Sequence, residues 1–264
     1  MAEPLVLVDR EGAVARLVLN RPERRNALNV ALMEALGSTL HEMQAAPWCH
    51  AVVLTGAGSA FCAGGDMSTD SGVMSADTGA DVGVAVTRHR QLLEAAERLL
   101  HFTKPTVAAV NGAAIGAGFS LALLCDEVVL HGDAKLSLNF LQLGLPPDLL
   151  SAVTVQRRAG WTVATDLFHT GRLLPAREAV ELRLAHEVVD DDVIGVASRR
   201  AAALAELSPF AFATAKLMLR QAFSPPAADL EALAVGAAVG TEQFQSAVAG
   251  YRRPPPVAEP TFDQ

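Results

Sequence analysis

Residues 105 to 125 carry no charged side chain, so any fold must hold that stretch away from water. By length alone it crosses a bilayer. Its content argues against a membrane span, because Pro105, Asn111-Gly112, Gly116 and Gly118 interrupt the run and Asn-Gly is a turn signal. The stretch reads instead as a buried strand (Thr106 to Val110), a glycine turn and a buried helix from about Gly118 to Cys125. A strand apolar on both faces belongs inside a parallel sheet covered by helices.

The flanking sequence supports such a sheet. Leu5 to Val8 and Ala13 to Leu19 are strand-like runs around the turn residues Asp9 to Gly12. A polar loop, Arg21-Pro22-Glu23-Arg24-Arg25-Asn26, leads into a helical pattern from Val30 to about Gln44, with Leu32, Leu36, Leu40 and Met43 on one stripe. Ala51 to Thr55 is a second buried strand, followed by a helix over about Gly83 to His101 and a strand over Glu127 to Leu130. This alternation predicts an α/β fold with a largely parallel sheet. Beyond Pro147 the pattern predicts helices at 148–158, 162–168, 175–183, 191–206, 209–222 and 227–248, with one short strand at His186 to Val189. Pro254-Pro255-Pro256 opens an extended tail. No internal repeat is evident. Asp66 to Asp81 is rich in Ser, Thr, Asp and Gly without periodicity, either a surface loop or a wall of a substrate pocket.

With 264 residues, 51% hydrophobic and 19% charged, the chain buries a sizeable core and is not disordered. Its net charge of −8 disfavours nucleic acid as a partner. Cys49, Cys62 and Cys125 form neither a paired framework nor a C-x-x-C, which fits a reducing cytoplasm and no metal site. The start Met-Ala-Glu-Pro lacks a basic region followed by an apolar run, so a signal peptide is not expected.

Two transitions from strand to loop carry the chemistry. One runs from Thr55 through Phe61-Cys62-Ala63-Gly64-Gly65 to Asp66, the other from Pro105 through Asn111-Gly112 to Gly116-Ala117-Gly118. Small residues after a buried strand let backbone approach a ligand closely. Two amides converging on one point make an oxyanion hole; glycine turns also serve ordinary packing. Neither loop is a G-x-G-x-x-G after a strand, and no G-K-[ST] occurs, so dinucleotide and P-loop sites are unsupported.

Arg21-Pro-Glu-Arg-Arg-Asn-Ala-Leu-Asn29, Phe61-Cys-Ala-Gly-Gly-Asp66, the Asn111 to Gly118 loop and Leu167-Phe-His-Thr-Gly171 together resemble the enoyl-CoA hydratase/isomerase (crotonase) family, over about residues 5 to 253. The resemblance implies a spiral of ββα units with a C-terminal helical trimerisation region, divided as core 1–195, helical region 196–253 and tail 254–264. It implies an acyl-CoA thioester substrate, no separate cofactor because coenzyme A is carried by the substrate, and a cytoplasmic homotrimer or dimer of trimers without a membrane partner. By position, the amides of Gly65 and Ala117 would hold a thioester enolate; Ala replaces the family's usual Gly at the second place. Arg24, Arg25, Asn26, Ala27, Leu28, Ala63, Gly64 and Asp66 would border the coenzyme A moiety. Arg252 and Arg253 either reach its phosphates or form a solvated pair.

The places of the two family hydratase glutamates are taken by Ser120 and Phe140, which leaves them as substrate-pocket residues. Phenylalanine moves no proton, and a lone serine is a poor acid. Asp148, in Gly144-Leu-Pro-Pro-Asp148, resembles the aspartate of family isomerases and of a CoA-thioester dehalogenase. It is either a base, with Leu145, Leu149 and Leu150 raising its pKa, or a helix N-cap after two prolines. The implied reaction moves a double bond from 3-enoyl-CoA to 2-enoyl-CoA, or isomerises a related aryl-acyl-CoA. A binding protein without turnover and an atypical hydratase are the alternatives. The dehalogenase route needs a helping histidine, and His89 and His101 do not match the spacing expected for it, so both are read as ordinary surface or core residues. A serine hydrolase is disfavoured, since Ser120 lies ten residues past Val110, too far for a nucleophile elbow. Arg183 stands where the family often has a helix-ending glycine, and Asp148-Leu149-Leu150-Ser151 replaces a usually Gly-rich stretch.

Overall fold

A computed structural model of the chain describes residues 3–68, 82–220, 232–233 and 235–252. Strands β1 (Val6–Glu11) and β2 (Val14–Leu19) form an antiparallel hairpin. Helix α1 (Val30–Ala45) begins at Asn29, whose side chain accepts the Leu32 N–H at 2.9 Å, and buries the expected stripe of Leu32, Leu36, Leu40 and Met43.

Three strand–strand–helix units follow: β3 (Ala51–Gly56), β4 (Ala60–Cys62) and α2 (Val82–Leu100); β5 (Thr106–Val110), β6 (Ala113–Ile115) and α3 (Ala117–Leu123); β7 (Glu127–His131), β8 (Lys135–Ser137) and α4 (Ser151–Ala159). Helix α5 (Trp161–Thr170), strand β9 (Leu174–Pro175), helix α6 (Ala176–Glu181) and strand β10 (Glu187–Val189) complete the sheets. The first strand of each unit joins a six-stranded sheet, β1-β2-β3-β5-β7-β10; the second joins a four-stranded sheet, β4-β6-β8-β9. Among the described residues only β1–β2 and β8–β9 pair antiparallel. The units thus repeat in structure although they share no sequence period. The three-residue strands β4, β6 and β8 were not expected, because each is too short to show alternation.

The main core joins both sheets to α1, α2 and α3. On the opposite face of the large sheet, Val53, Val107 and Val129 pack against Val193, Ala197 and Ala201 of α7 (Val193–Ala205). The boundary drawn at residue 195 falls inside this helix. Helix α8 (Pro209–Arg220) is pinned to the core through Asp126, which accepts from Lys216 Nζ at 2.6 Å, Arg220 Nη2 at 2.7 Å and the Thr106 backbone at 2.9 Å. Burial pushes the Lys216 amine down to about 8, and Arg220 adds to the fall against the pull of Asp126. Arg220 also donates to the Leu100 and Leu124 carbonyls, and Arg158 to those of Leu123 and Cys125. These cations supply the donors that the closing turns of α2 and α3 lack.

Two helices depart from expectation. That expected at 148–158 starts at Ser151, and that expected at 227–248 is broken at Gly240 and Thr241 before α9 (Glu242–Arg252). The uncharged stretch 105–125 is strand, strand and helix, nearly all of it buried. No single helix among the described residues is long and apolar enough to cross a membrane. Residues 69–81 of the long loop, Arg253 and the tail 254–264 lie outside the described residues.

Candidate active site

The loop after β4 is a strip of backbone held between two neighbours. On one side it meets residues 25–28: Ala63 N–H donates to the Arg25 carbonyl, Leu28 N–H to Gly64, and Asp66 N–H to Leu28, at 2.7 to 2.9 Å. In this parallel bridge between Leu28 and Gly65, the Gly65 N–H must point the other way, toward β6 and α3. Ala117 lies there as the first residue of α3, so its N–H has no acceptor within the helix.

Only glycine permits the close approach. A Cβ on Gly64, whose φ is +97°, would lie 2.8 Å from the Ile115 oxygen and 4.0 Å from Ala117 N. A Cβ on Gly118 would lie 2.2 Å from the Cys62 oxygen. The two amide-bearing segments are therefore packed backbone to backbone.

A buried ion pair fixes the first segment. Arg21 Nη2 donates to Asp66 Oδ2 at 2.9 Å, with side chains 10% and 4% exposed, and Arg21 Nη1 donates to the Ala27 carbonyl. Asn26 is wholly buried, accepts from Arg21 N–H and donates to the Ala57 and Ala60 carbonyls, each at 2.9 Å. Its side chain is thus a structural clamp, and what it offers a ligand is position rather than a free amide. Arg24 and Arg25 are exposed, Ala63 half-buried and Leu28 buried. The sequence reading missed Arg21, the one arginine of the loop that turns inward.

Ser120 is buried and its hydroxyl donates to the Gly116 carbonyl at 3.1 Å, within its own helix. Phe140 packs against Gly116, immediately before Ala117, and its ring lies 6.3 Å from that of Phe168. Cys62 lies beside the amides, but burial pushes its thiol up to about 12, which leaves it no nucleophile.

Asp148 is not an N-cap. Leu149 and Leu150 adopt φ of +48° and +60°, so α4 starts only at Ser151, with Leu150 in the cap position. These are left-handed conformations that glycine takes without cost and that leucine resists by about 1–2 kcal/mol each. They fall where the family's Gly-rich stretch is replaced; Arg183, at φ +63°, is a third such position. The Leu149 N–H donates to Asp148 Oδ1. His89 Nε2 lies 3.1 Å from the same oxygen, with the two side chains 1% and 3% exposed. His89 occupies the inward stripe of α2 with Ala85, Leu92 and Ala96. His89 is thus a core histidine, one of the two places the sequence allowed, and its contact with Asp148 is an addition that chain spacing does not reveal, since it joins a helix to a distant loop. His101 is at the surface, one of the two places the sequence allowed.

The structure thus brings together Gly64, Gly65 and Ala117, sets Phe140 beside them, and pairs Asp148 with His89. Chemically, these are two closely packed loops with backbone amides and, at Asp148, a buried carboxylate beside an imidazole.

The family model described as "Enoyl-CoA hydratase/isomerase" matches residues 9–250. A Thermus thermophilus protein whose name assigns it provisionally as an enoyl-CoA hydratase is 41% identical over 197 residues, 74% of each chain. The 1,2-epoxyphenylacetyl-CoA isomerase of Escherichia coli is 37% identical over 189 residues, 72% of this chain and 71% of that one. The crystal structure of an enoyl-CoA hydratase/isomerase from Mycobacterium paratuberculosis superposes with a TM-score of 0.85 at 30% identity, covering 94% of this chain and 98% of that one.

Proposed function

This chain belongs to the enoyl-CoA hydratase/isomerase family, and from that premise we propose that it shifts a double bond in an acyl-CoA thioester with Asp148 as the base. The observation that carries the reading is that Asp148 is a buried carboxylate while the two hydratase positions hold a phenylalanine and a serine committed to the Gly116 carbonyl. Coenzyme A enters as part of the substrate, bordered by residues 24–28 and 63–66.

In this reading the thioester oxygen sits on the N–H groups of Gly65 and Ala117. Asp148 takes a proton from C2 of 3-enoyl-CoA and becomes a neutral acid, and the electron pair is delocalised into a dienolate held by the amides. The same carboxyl returns the proton at C4, giving 2-enoyl-CoA with atoms and charge balanced. An aryl-acyl-CoA whose ring isomerises through the same enolate is the related substrate, in keeping with the name of the E. coli relative.

The amide of Ala117 gives a clean test. Proline is welcome at the first position of a helix yet has no N–H. Ala117→Pro is expected to lower kcat for conversion of 3-enoyl-CoA by about 10²–10³ while the fold persists. An unchanged kcat would remove this amide from the chemistry.

A trimeric assembly also belongs to this proposal. Exposed apolar side chains on α8 support it, with Phe210 80% and Met218 65% exposed. Light scattering is expected to give a multiple of three times the 27.7 kDa chain, and a monomer would contradict it.

A further inference from the structure

We propose that His89 is the positioning residue of the reaction, its Nε2 set 3.1 Å from Asp148 so that one fixed carboxyl group both removes and returns the proton. The inference rests on the isomerase reading above. Its physical basis is a 3.1 Å approach between two side chains that are 1% and 3% exposed, across elements far apart in the chain. A buried histidine–carboxylate pair is a poor way to fill space, since apolar side chains of similar volume cost no desolvation.

The surrounding backbone has the same bias. The Leu149 N–H donates to Oδ1, the oxygen that faces His89. Leu149 and Leu150 persist in left-handed conformations, which survive only where neighbouring contacts over-determine them. Without the imidazole the Asp148 side chain turns more freely about its terminal torsion, which is soft for a carboxylate. A rotating neutral acid exchanges its proton with water before returning it to C4. A held one passes the same proton from C2 to C4.

The test compares His89→Leu, which removes the donor, with His89→Gln, which keeps an N–H, both assayed on 3-enoyl-CoA in D2O. His89→Leu is expected to lose about 10- to 100-fold in kcat, the scale of a charge-assisted hydrogen bond, with KM within about twofold. Its product carries more deuterium at C4 than that of the wild type. His89→Gln is expected to recover most of the rate and the low deuterium content. Wild-type kcat and deuterium content in His89→Leu would overturn the proposal. So would equal losses in both variants with a raised KM, which mark a packing role. Asp148→Asn runs in parallel: if it stays active, the isomerase reading itself fails; if it is inactive while His89→Leu is not, only the positioning role fails.

Discussion

Replacing Asp148 by Asn is expected to lower kcat on 3-enoyl-CoA by at least about 10³, with acyl-CoA affinity almost unchanged. The asparagine keeps the volume and one oxygen, so the buried slot between His89 and the Leu149 amide stays filled. What disappears is the carboxylate assigned as the base, and general base catalysis contributes about 10²–10⁴ on its own. Ser120 cannot take over, because its hydroxyl is held by the Gly116 carbonyl, and Phe140 has no proton to move. Steady-state kinetics for the rate and equilibrium dialysis with a saturated acyl-CoA for the affinity separate the two effects. A residual rate within tenfold of wild type would rule out Asp148 as the base.

The second large effect is on stability. Asp66→Ala leaves the Arg21 guanidinium 10% exposed with its carboxylate partner gone, while Ala27 still ties down one nitrogen. Truncating one member of a buried ion pair typically costs about 3–5 kcal/mol, because the remaining charge stays desolvated. For a chain of this size that lowers Tm by about 6–20 °C. The double variant Arg21→Met with Asp66→Leu is expected to regain much of the loss, which isolates the stranded charge as its cause. A melting curve of Asp66→Ala that coincides with wild type would show that the pair adds nothing to the fold.

Asp66 illustrates how much the sequence reveals and where it stops. Its place in the loop after β4 was readable, but its partner was not, because three arginines crowd residues 21–25 and only the folded loop selects Arg21. The long apolar stretch 105–125 was legible as strand, turn and helix because its glycines and Asn111 punctuate it. Within it β6 was invisible, since three residues between two glycines carry no period. The α4 start shows the opposite failure. Two prolines followed by Asp148 read as a helix N-terminus, yet Leu149 and Leu150 are left-handed and the helix starts at Ser151. His89 was detectable only as a polar residue on the apolar stripe of α2, a signal that names no partner. Motifs point to the loop amides because that chemistry is local backbone. The Asp148–His89 pair is a long-range contact, and no local rule encodes it.

Product identity tests the central claim most directly. Wild-type protein incubated with 3-enoyl-CoA should release 2-enoyl-CoA of unchanged mass, with no 3-hydroxyacyl-CoA accumulating even when 2-enoyl-CoA is supplied as the substrate. Rapid formation of a product heavier by one water, at a rate that Asp148→Asn leaves unaffected, would contradict the account and identify a hydratase that uses other groups.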